Sequence, residues 1–126
     1  MKYQNDVSLL QGRWFQIGYE RDGIVEPVDG EKGWEPQTEI SGQNFTVKIA
    51  DGSTKLVGVF SLDQTQEPKE IDWTDTAGSY ASTHTIKAIY TLNETEFVFC
   101  ASCNGEARPT EFKTNPGQVL RRMRRL

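Results

Sequence analysis

The chain has 126 residues, 36% of them apolar and 25% charged, a balance that excludes disorder, collagen and coiled coil and fits one domain over residues 1–126. The formal net charge is −4, but Arg121, Arg122, Arg124 and Arg125 are four of the 14 basic residues. The remainder sets ten bases against 18 acids, a net of −8. An acidic body repels phosphate backbones, which excludes nucleic acid as a partner.

One segment carries a helical signal. In Asn5-Asp6-Val7-Ser8-Leu9-Leu10, Asn5 or Asp6 caps a single turn that Gly12 stops. From there the pattern is period two, interrupted by turn residues. Gly12 to Glu20 is rich in aromatics and reads as the first strand. Residues 24–36, with two Pro, two Gly and several acids, read as a long connection. A short strand over Thr38 to Ile40 and a turn at Ser41 to Asn44 follow. Phe45, Val47 and Ile49 then alternate with polar residues, Asp51-Gly52 makes a hairpin turn, and Leu56, Gly58, Phe60 and Leu62 alternate on the return.

Beyond a loop from Gln64 to Pro68, Ile71 and Trp73 alternate with Asp72 and Thr74. His84, Ile86, Ala88, Tyr90 and Leu92 share one face of the next strand. Asn93-Glu94 turns the chain into Phe97 to Cys100, and Phe112 and Val119 to Met123 supply closing strands. About eight or nine strands with short connections specify an all-β, antiparallel up-and-down barrel or sandwich with one short N-terminal helical turn.

Few constellations carry chemistry. No run approaches the roughly 20 apolar residues of a membrane-spanning helix, and Met1 to Leu10 lacks the regions of a secretory signal. The chain reads as soluble and cytoplasmic, as would one whose signal had been removed. Cys100 and Cys103 have the spacing of a zinc or redox pair. With no second pair and one His in the chain, they read as a core and a loop cysteine, with no metal or other cofactor. His84 lies in phase with Ile86, Ala88 and Tyr90, close to the start of its strand, with Trp73 and Asp75 on the neighbouring strand. The plain reading is a satisfied core histidine; the functional one is a group that fixes a polar ligand or moves a proton. The Arg-rich end reads either as a solvated face or as a site for an anion or acidic partner.

Gly12-Arg13-Trp14 organises the rest. Gly12 admits a tight strand start, Trp14 is large enough to plug one end of a barrel, and Arg121 or Arg122 from the last strand is placed to stack on the indole. This pairing resembles the lipocalin signature. Together with Leu10 to Trp14, Gly58 to Asp63 running on to Pro68 to Asp72, Ile89 to Leu92, and Arg108 to Phe112, in this order, the chain resembles a family of small bacterial lipocalin-like (calycin-type) domains over nearly its whole length. The resemblance implies a compact up-and-down barrel. The Ser/Thr-rich stretch Trp73 to Thr83 and the basic end depart from that family's pattern.

The expected function is to bind a small apolar or aromatic molecule inside the barrel, walled by Phe45, Phe60, Trp73, Tyr90 and Phe99 and fixed by His84 and Glu20. Simple alternation puts Glu20 on the Trp14 face, opposite Phe15, Ile17 and Tyr19; a bulge would reverse this. One alternative is a barrel-cavity lyase, isomerase or cyclase with His84 as general acid or base, helped by Tyr90 or Asp75. Another is a protein-interaction or inhibitory module using the 24–36 connection and the basic end. The oligomeric state is not specified by the sequence.

Overall fold

Alternation of apolar and polar residues commits each strand to one inward and one outward face, and burying every inward face at once requires the sheet to close. The computed structural model, which describes residues 5–26, 36–77, 85–102 and 106–126, has that form. A helical turn α1 (Asp6–Leu10) precedes β1 (Gly12–Arg21), β2 (Ile24–Glu26), β3 (Gln37–Ser41), β4 (Asn44–Lys48), β5 (Thr54–Asp63), β6 (Lys69–Ala77), β7 (Ile86–Leu92), β8 (Glu96–Ser102) and β9 (Gln118–Arg125). Antiparallel pairing runs β1-β3-β4-β5-β6-β7-β8-β9 and returns to β1, a closed barrel of eight strands. β2 is an extra strand on the far half of β1. Among the described residues, no helix is long and apolar enough to cross a membrane.

The cap of α1 is Asn5, whose side chain accepts from the Val7 amide at 2.9 Å; Asp6 is buried instead. Gln11 ties α1 to the β3–β4 turn, donating to the Val7 carbonyl and exchanging two bonds with Gly42. The 24–36 connection begins as a strand. Asp22 and Gly23 both have positive φ, at 52° and 82°, so they form the tight turn of a β1–β2 hairpin. The Asp51-Gly52 pair sits inside a longer β4–β5 loop, where Asp51 accepts from the amide and hydroxyl of Ser53.

Phe112 does not join a strand. Residues 106–117 form an irregular strap outside β6, β7 and β8. Arg108 anchors it, donating to the Ala88 carbonyl at 2.9 Å and pairing with Asp72 at 2.7 Å and Glu70 at 3.5 Å. Ile89, Val98 and Cys100 face outward by alternation yet are buried, and the Cys100 thiol lies 3.8 Å from the Lys113 carbonyl oxygen. The inward core comprises Leu10, Trp14, Ile40, Phe45, Phe60, Ile71, Trp73, Ala88, Tyr90, Phe97, Phe99, Ala101 and Met123.

Candidate functional site

One end of the barrel is built as a plug. Trp14 enters on the inward face of β1, is fully buried, and donates its indole N–H to the Leu10 carbonyl at 2.8 Å. The arginine over its ring is Arg125, with the guanidinium carbon 4.3 Å from the ring centroid. Neither Arg121 nor Arg122 fills this role. Trp14 and Arg125 are cross-strand partners, and the inward phase of β9 brings Arg125 and Arg121 inside while Arg122 turns out to pair with Glu96 at 3.0 Å. Arg125 also donates to the carbonyls of Leu9, Gln11 and Glu94, so a single guanidinium locks α1, the β7–β8 turn and the plug together. Gly12 is required beside it: its φ is +116°, and a Cβ there would come within 3.2 Å of Arg125 Nη1.

Above the plug, the inward residues of β4, β5, β6 and β8 converge. Trp73 is the hub, with ring centroids 5.1 Å from Phe45, 5.7 Å from Phe60, 6.2 Å from Phe97 and 5.1 Å from Phe99. Gly58 makes this possible, because a Cβ there would lie 2.6 Å from the Phe45 ring and 2.2 Å from the Thr74 carbonyl oxygen. The indole nitrogen of Trp73 is buried and, among the described residues, has no hydrogen-bond acceptor. Toward the far end, the inward side chains Val47, Leu56, Ile86 and Val119 are only half-buried.

Of the expected acid–base group, the described residues include Tyr90 and Asp75, which lie apart. His84 lies outside the described residues, as does Cys103. Tyr90 is buried near the plug, where its hydroxyl donates to Asp6 Oδ2 at 2.8 Å and Lys69 Nζ pairs with the same oxygen at 3.0 Å. Burial, reinforced by the Asp6 hydrogen bond and charge, pushes the Tyr90 phenol far above its ordinary value. Asp75 sits six residues beyond Lys69, the register partner of Tyr90, on β6. At roughly 3.3 Å per residue, that is about 20 Å along the strand. Burial alone raises the Asp75 carboxyl.

Glu20 is a correction. β1 carries a bulge between Gln16 and Gly18 that shifts the phase by one residue. Beyond it Tyr19 pairs inward with Arg121, while Glu20 faces out and accepts from the Thr114 hydroxyl at 2.6 Å. The same shift creates an interior polar group. Arg121 donates to Oε1 of buried Gln16 at 2.8 Å and lies over the Tyr19 ring at 4.5 Å. Burial lowers the guanidinium pKa from its ordinary value, and Arg21 acts in the same direction against an opposing effect of Tyr19; the group stays charged at neutral pH.

No protein-family model, curated protein or solved structure matches the chain. The site itself comprises a plugged end, an aromatic hub whose Trp73 donor has no acceptor among the described residues, and half-buried apolar side chains toward the far end. Gln16 and Asp6 were the residues that sequence reasoning passed over. For Gln16 the signal was there, since it is in phase with Trp14; for Asp6 there was none, because its partners Tyr90 and Lys69 lie more than 60 positions away.

Proposed function

We propose that this protein binds a small, mostly apolar molecule, taken up at the barrel end opposite the Trp14 plug and held against Phe60, Trp73 and Phe99. The observation that carries the reading is the buried indole N–H of Trp73, a donor with no acceptor among the described residues, set among the rings of Phe45, Phe60 and Phe99. An unmet buried donor costs about 1–3 kcal/mol, and a ligand acceptor would recover it. The half-buried Val47, Leu56, Ile86 and Val119 supply the apolar approach, as expected of a cavity with a few polar fixings. The resemblance to small bacterial lipocalin-like domains agrees with this use of the fold. Binding in place of acid–base catalysis is favoured because Tyr90 is committed to Asp6.

The test is titration with the neutral fluorophore N-phenyl-1-naphthylamine. One saturable site per chain is expected, with quenching of tryptophan emission, and it should be lost in a Val119→Trp variant that still melts cooperatively. Absence of saturable binding, or binding indifferent to that substitution, overturns the reading.

A further inference from the structure

The inward face of β9 carries two arginines, and their surroundings differ. Arg125 is saturated by three backbone carbonyls and the Trp14 ring. Arg121 offers five N–H donors, and among the described residues Gln16 Oε1 is the acceptor it meets. Arg108 and Arg122 have carboxylate partners, whereas among the described residues none lies within ion-pair distance of Arg121. This is unexpected in a chain with 18 acidic residues. Arg21, two residues beyond Tyr19 on β1, adds positive charge. A charge drawn into a barrel without a counter-ion is costly.

A second donor lies on the same inner wall. Phe99 is the cross-strand partner of Arg121, and Trp73, whose indole N–H has no acceptor among the described residues, packs on Phe99 with ring centroids 5.1 Å apart. Arg21 is exposed, so the interior at this level has an excess of donors, one half-buried guanidinium and aromatic walls. Its complement is an acceptor bearing one negative charge on two oxygens, attached to an apolar body. A planar guanidinium meets a carboxylate in two parallel hydrogen bonds; a phosphate dianion would leave net negative charge in the barrel.

Building on the binding reading above, we infer that the barrel ligand is an apolar carboxylic acid whose carboxylate is received by Arg121, with Gln16 and Tyr19 positioning the guanidinium. Decanoate and decanol share a chain and differ at the head, so their displacement of N-phenyl-1-naphthylamine separates the two claims. Decanoate should bind at least tenfold more tightly than decanol, and more weakly as NaCl is raised. In Arg121→Gln, decanoate should lose at least tenfold while decanol is unchanged. Arg121→Lys, which keeps the charge without the planar fork, should fall between. If decanol and the fluorophore bind but decanoate has no advantage in the unmodified protein, the carboxylate assignment is overturned and the binding reading stands. If none of the three binds, both fail. The head-group comparison needs no variant, so a failure of Arg121→Gln to fold leaves the inference open to refutation.

Discussion

Trp14 and Asp75 mark two opposite energetic situations for single side chains. Trp14 is fully enclosed, hydrogen-bonded to Leu10 and covered by Arg125, so truncation removes packing, a hydrogen bond and a cation–π contact together. Trp14→Ala is expected to destabilise by about 3–5 kcal/mol, read as a lowered urea midpoint; an unchanged midpoint would remove the plug from the account. Asp75 works against the fold, because burial raises its carboxyl pKa above 3.8. A raised folded-state pKa means that the folded form holds the proton more tightly. Stability from this group is therefore full below the unfolded value and falls as pH rises through the folded one. Asp75→Asn should melt higher than the parent at pH 7 and at the same temperature at pH 3, which thermal denaturation at the two pH values checks.

At the level of elements, two contacts decide how strands meet. β5 approaches β6 and the Phe45 ring so closely at Gly58 that a methyl group has no room, with the Thr74 carbonyl oxygen only 2.2 Å from the Cβ position. Overpacking of this kind costs typically about 1–3 kcal/mol. Gly58→Ala should lower the denaturation midpoint accordingly, in contrast to Gly52→Ala, where nothing lies within 4 Å and only the turn's positive φ resists. The strap over the outside of β6 to β8 is pinned at Arg108. Losing that anchor should uncover the fully buried Cys100, whose thiol burial raises the pKa. In a Cys103→Ser background, Arg108→Ala should therefore react with a thiol reagent at least tenfold faster than the parent. Equal rates would mean that the strap stays in place without its arginine.

Closure of the barrel depends on the final strand. β9 pairs with both β8 and β1, and its last residues place Arg125 over the plug. Removing residues 122–126 opens the β1–β9 seam, exposes Trp14 and leaves two sheet edges unpaired. The truncated chain is expected to show neither a cooperative thermal transition nor the near-ultraviolet dichroism of fixed aromatic rings. A cooperative transition close to that of the full chain would show that the seam is dispensable.

The barrel and its inner wall were legible because alternation is local: Phe45, Phe60, Trp73 and Phe99 sit in period two with their neighbours, and that phase alone sends them inward. The Asp22-Gly23 turn was equally legible by its residue types, but it lay at the edge of a stretch whose Pro and Gly content suggested no regular structure. The phase of β1 beyond Gln16 was not legible, since a bulge adds one residue without any change in the alternating pattern and exchanges Glu20 for Tyr19 on the inner face. Nor could the sequence distinguish Arg121, Arg122 and Arg125. Their chemistry is identical, and their roles follow from strand register with residues more than 100 positions away in β1, a non-local pairing that only the closed tertiary structure decides.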